Sequence, residues 1–154
     1  MIQRRTLLLA GTVALTGCAN LTPAVIASDV QLVANAVQAF APLLGPLGVP
    51  AATVAQVLAF AADVSKQVTS VGSVISSLTP PKNIQAIVSD VQAIAGLAEP
   101  LLPNTDAGNA ARAILTAALA LLPGILTAAG LPAPVGAAPG LPTPEAARVV
   151  LRGL

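Results

Sequence analysis

Residues 53–78 read TVAQVLAFAADVSKQVTSVGSVISSL. Within them Val57, Ala61, Val64, Val68, Val71, Ile75 and Leu78 recur at alternating spacings of four and three. A helix of 3.6 residues per turn gathers such positions into one stripe, whereas a half-buried strand would alternate every second residue. The stretch therefore predicts the longest and most regular helix of the chain, with Thr53 and Gln56 as a capping box at its start. An apolar stripe must be buried against something, and the flanking sequence supplies partners of the same kind.

Before it, Ile26, Val30, Val33, Val37, Phe40 and Leu44 repeat the pattern, with Thr22 as the expected N-cap and Pro23 as the first helical residue. After it, Pro80-Pro81-Lys82-Asn83 opens a third stripe of Ile84, Ile87, Val91, Ile94, Ala98 and Leu101, expected to end near Pro103. A fourth begins at Asn104-Thr105-Asp106 and carries Ala111, Leu115, Ala118, Leu122 and Ile125, with Pro123 expected to kink or end it. Residues 131–144 contain Pro, Gly and Ala without charge and read as an irregular linker. Thr143-Pro144-Glu145 then restarts a short helix over 144–152, with Arg148 and Arg152 towards its negative end.

The expected fold class is all-α: a bundle of about four main amphipathic helices over 23–130, followed by a Pro/Gly/Ala-rich tail, 131–154, peripheral to the core. A short internal similarity supports pairing within the bundle. Leu21-Thr22-Pro23 precedes Ser28-Asp29-Val30-Gln31, and Leu78-Thr79-Pro80 precedes Ser89-Asp90-Val91-Gln92. The second spacing is four residues longer, about one helical turn, so both copies keep Asp beside the same stripe. Two related hairpins, 21–78 and 79–130, are one account of this; shared helix-start chemistry is the other.

The start of the chain has a different logic. Arg4 and Arg5 are followed by an apolar run from Leu7 to Leu15 and then by Thr16-Gly17-Cys18, which holds the single cysteine. Basic, apolar and small residues in that order form a secretory signal, and the run falls short of the about 20 residues that cross a ~30 Å bilayer core. Leu15-Thr16-Gly17-Cys18 resembles the lipobox of bacterial lipoproteins. The resemblance implies removal of residues 1–17 by cleavage between Gly17 and Cys18, a diacylglyceryl thioether on Cys18, and N-acylation of the new terminus. Residues 18–22 would then tether the bundle. Arg4-Arg5-Thr6-Leu7-Leu8 also resembles a twin-arginine export signal, and Ala19 in place of Asp favours the outer membrane, facing the periplasm, in a diderm cell.

Composition narrows the function classes. Seven basic residues less Arg4 and Arg5 leave five against six acidic ones, which gives no footprint for nucleic acid. Only 8% of residues are charged and the mean hydropathy is +0.85, as expected of a chain working close to a membrane or a partner. Tyr and Trp are absent and Phe occurs twice, so the core must pack by close approach of small side chains.

Chemistry-bearing residues are sparse. Histidine is absent, which removes the commonest general base and metal ligand, and Cys18 is assigned to lipid. Asp29, Asp63, Asp90, Glu99, Asp106 and Glu145 are spread along the chain, with no phosphate loop and no metal-ligand spacing. Asp63 and Lys66 are expected to form a surface pair. Asp29 and Asp90, equivalent in the internal similarity, are either a paired-carboxylate cation site or, as favoured here, separate solvated residues in early helical turns. The expectation is thus a non-enzymatic envelope lipoprotein without cofactor or metal, lipid-anchored to the membrane, whose helical domain scaffolds or binds an envelope protein. Two other classes stay open: a binder of lipid or another apolar small molecule, and a membrane-inserting or pore-type subunit using residues 113–131, part of a stretch without charge.

Overall fold

The computed structural model describes residues 23–74, 81–132 and 140–154, and within them five α-helices and no strand. They are α1 (Pro23–Phe40), α2 (Ala51–Val74), α3 (Pro81–Ala98), α4 (Asp106–Ala128) and α5 (Pro144–Arg152). α1 packs on α2, α2 on α3, α3 on α4 and α4 back on α1, closing a four-helix ring, while α5 lies across α1 and α4. Two side-chain hydrogen bonds cross between neighbouring helices. Gln38, near the end of α1, donates to the Ser65 hydroxyl of α2, and Gln67, late in α2, donates to Asp90 in the middle of α3. Consecutive helices are in contact and joined by short connections, so the chain reverses at each step.

The expected stripes form the core. Val30, Val33, Val37, Phe40 and Leu44 are buried from the first, Val57, Ala61, Val64 and Val68 from the second, and Ile84, Ile87, Val91, Ile94 and Ala98 from the third. Thr22, Ile75 and Leu78 lie outside the described residues. α4 is buried over more than a stripe: Ile114, Ala117, Leu121 and Leu126 join Ala111, Leu115, Ala118, Leu122 and Ile125. Three neighbours, α1, α3 and α5, surround it, so a single apolar face would not suffice. Residues 24–43 and α4 are long and apolar enough to cross a membrane, and more than half of the α4 window is buried inside the fold.

Three local expectations are corrected, and of the two alternatives at Pro123 the helix end is excluded. Thr53 and Gln56 form no capping box, because α2 starts earlier, at Ala51, with the Val54 N–H donating to the Pro50 carbonyl. Leu101 is exposed and Leu102 takes the core position. The cause is a 3₁₀ turn over Glu99–Leu101, centred on Pro100, which has no N–H for the α-helical bond and shifts the facing of the residues after it. Pro123 does not end α4, which continues to Ala128. The helix stops instead at Gly130, whose φ of 72° suits glycine, with Leu131 N–H donating to Leu126 carbonyl at 2.9 Å and Gly130 N–H to Thr127 carbonyl at 3.1 Å. That pair of bonds is a Schellman stop.

The last correction concerns α5. This helix of the tail is not peripheral, since Ala147 and Leu151, one turn apart, are buried on the α1–α4 face. Thr143 caps the helix through the Ala146 N–H, and Pro144 occupies its first turn.

Candidate functional site

The chemistry of the described surface gathers at three places where helices meet. The first lies beneath α5. Asp29, in α1, is 4% exposed, the one charged residue buried among those described. Arg148 Nε donates to Asp29 Oδ1 at 2.8 Å and Nη2 to Oδ2 at 2.6 Å, a two-bond fork across 119 sequence positions. Arg148 holds its proton more firmly than an ordinary guanidinium, chiefly through the hydrogen bonds to Asp29, against the opposing effect of burial; the charges of Asp29 and Glu145 add to it. Both oxygens of Asp29 are thereby committed to one partner, an arrangement that fixes α5.

The expectation of a solvated Asp29 is thus wrong, and the reason is α5. Asp29 precedes the stripe residue Val30 and would stand at the rim of a four-helix bundle; a fifth helix covers that rim. A burial cue was present in the sequence: Asp29 is the single charge between Arg5 and Asp63. A lone charge in so apolar a segment requires a partner from elsewhere.

The second place joins α2 to α3. Gln67 Nε2 donates to Asp90 Oδ2 at 3.1 Å. Burial raises the Asp90 carboxyl above the usual range, the Gln67 hydrogen bond lowers it, and the Asp63 charge raises it further, with a net upward shift. Asp29 and Asp90 take different partners from different helices, so the paired-carboxylate site is not assembled. Asp63 and Lys66 form the expected exposed pair at 3.5 Å. Among the described residues no group of three acidic, histidine or cysteine side chains is placed to hold a metal ion.

The third place is the α3–α4 connection. Arg112 Nη1 donates to Asn104 Oδ1 and Asn109 Oδ1, each at 3.0 Å, and to the Pro103 carbonyl at 3.4 Å, while Nη2 donates to the Leu102 carbonyl. These carbonyls have left the helical ladder, and the guanidinium satisfies them. Gly108, one turn earlier on α4, lies against the Pro103 carbonyl so closely that a Cβ there would overlap it. Its N–H donates to Thr105 Oγ1 at 3.2 Å, the N-cap of α4. Beside Arg112 a cleft of about 290 Å³ is lined by Glu99, Thr116, Leu115, Leu119 and Leu141. A second, more open groove of about 590 Å³ runs between α3 and the end of α4, with Gln85, Ser89 and Gln92 on one side and Leu126 and Pro132 on the other.

No protein-family model, curated protein or solved structure matches this chain.

Arg4, Arg5, Gly17 and Cys18 lie outside the described residues. Asp106 and Glu145 stand in the first turns of α4 and α5, where negative charge complements the helix dipole. The charged side chains of the described fold thus tie helices together, pair on the surface or complement helix ends, and none forms a nucleophile–base constellation among the described residues.

Proposed function

We propose that this chain is a lipid-anchored protein of the bacterial cell envelope, non-enzymatic, whose helical bundle presents a surface to an envelope partner. The observation that carries the proposal is the position of Cys18. It completes Leu15-Thr16-Gly17-Cys18 and stands five positions before Pro23, where α1 begins. Cleavage before Cys18 would remove the secretory signal and leave every described helix intact. An unpaired thiol is a liability in an oxidising compartment, and a thioether removes it. Three acyl chains, at ~0.8 kcal/mol per buried methylene, exceed the two signals that stable anchoring needs.

The fold supports a domain beside the bilayer. α4, the most apolar helix, spends its side chains on α1, α3 and α5, and its connection to α3 is held by the charged Arg112. Growing cells with an alkyne-bearing fatty acid tests the anchor: the wild-type chain takes up label and Cys18→Ser does not. Absence of label from the wild type overturns the proposal. A chain begun at Ala19 belongs in the soluble fraction, and its retention in carbonate-washed membranes would instead favour insertion through residues 113–131.

A further inference from the structure

Exposed apolar side chains sit at both ends of the bundle: Leu43, Leu58 and Leu101 towards the end where α1 finishes, and a second group at the end of α5. Among the described residues six large ones are exposed, and three of these, Val149 (74%), Val150 (42%) and Leu154 (58%), fall in the last six residues of the chain. Their position in the fold follows from two contacts. Leu141 lines the cleft with Leu115 and Thr116, in the first half of α4, whereas Arg148 reaches Asp29, in the first half of α1. Since α1 and α4 run in opposite directions, α5 points towards the end of the bundle where α1 begins, and residues 149–154 lie beyond the ion pair at that end.

The anchor is expected at the same end. Asp29 is six residues into α1, about 9 Å along its axis from Pro23. The five residue steps from Cys18 to Pro23 span at most about 18 Å even when fully extended. A lipidated Cys18 therefore holds the start of α1, and with it the end of α5, within reach of the headgroups. Asp29 cancels the charge of Arg148 there, and the remaining exposed cation on α5, Arg152, suits lipid phosphate.

We infer that the apolar surface formed by Val149 and Val150 of α5, with Leu154 just beyond the helix, is a membrane-contact surface that rests on the bilayer and orients the bundle. The inference rests on the proposed anchor at Cys18. It makes the Asp29–Arg148 pair the positioning element that holds the contact beside the tether.

The chain contains no Trp or Tyr, so a single introduced tryptophan is a clean reporter. Val149→Trp, Leu154→Trp and Leu58→Trp, the last on the opposite end of the bundle, are placed on vesicles of phosphatidylcholine with brominated acyl chains. One arm uses the processed protein extracted from membranes; the other uses the chain from Cys18 onward, coupled through that thiol to a maleimide lipid. In both arms the Val149→Trp and Leu154→Trp emission shifts to the blue and loses most of its intensity, while Leu58→Trp emits as in solution. Unchanged emission from both Val149→Trp and Leu154→Trp in the maleimide arm, or equal quenching of Leu58→Trp, overturns the inference. An unlipidated Cys18 in the extracted protein identifies failure of the anchor itself.

Discussion

Arg148 of α5 closes a two-bond fork on the buried carboxylate of Asp29 in α1, so the last of the described helices is fastened to the first. Removing the cation strands a carboxylate that is 6% exposed, whereas removing the anion frees a guanidinium that already keeps 23% of its side chain in water. Arg148→Ala is therefore the more damaging change, costing about 2–3 kcal/mol against about 1–2 for Asp29→Ala, below the range for a fully buried pair because Arg148 is partly solvated. Urea unfolding of both variants, begun at Ala19 and followed by circular dichroism, checks the order. The double variant should lose less than the sum of the two.

Asp90 gives a pH dependence of opposite sign to the usual carboxylate. Its pKa is raised in the fold, first by burial, so the folded state binds the proton more tightly than the unfolded chain. Its contribution to stability is full below the unfolded pKa of about 4 and is lost as pH rises through the raised folded value. Asp90→Asn keeps an acceptor for Gln67 and carries no charge. The difference in urea midpoint, variant minus wild type, should grow in the variant's favour over that window. A difference that is flat with pH contradicts this assignment.

At the α3–α4 connection, Gly108→Ala forces a methyl group into the Pro103 carbonyl oxygen, a backbone atom that also accepts from Arg112. Destabilisation of about 1–3 kcal/mol is expected, as for other overpacked sites, against near neutrality if the connection were loose. Thermal unfolding of the soluble form measures it.

The 3₁₀ turn before α4 predicts unequal leucines. Leu102 is 4% exposed and Leu101 42%. Leu102→Ala should cost about 2–4 kcal/mol and Leu101→Ala within about 0.5. Equal effects in denaturant titrations would mean that the stripe continues unbroken through Leu101.

The helix count and most of the core were legible because period 3.6 survives in a chain of Ala, Val, Ile and Leu with few charges to blur it. Val57 through Val68, Ile84 through Ala98 and Ala111 through Ile125 show this most clearly. Helix starts at Thr105 and Thr143 were legible from their cap chemistry. The misreadings are tertiary in origin. Pro123 is tolerated because Ile125 and Leu126 beyond it are buried, and Gly130 supplies a better stop. The partner of Asp29 is not legible, because it lies 119 positions away on a helix too short to stand alone. Cys18 has no such dependence on packing, since its reading rests on adjacent residues.

The central claim is that Cys18 carries the anchor. Intact mass of the protein extracted from membranes tests it most directly. The account predicts a chain that begins at Cys18 and bears a diacylglyceryl group and an N-linked acyl chain; an unmodified terminus at Ala19, or a chain that retains Met1, would contradict it.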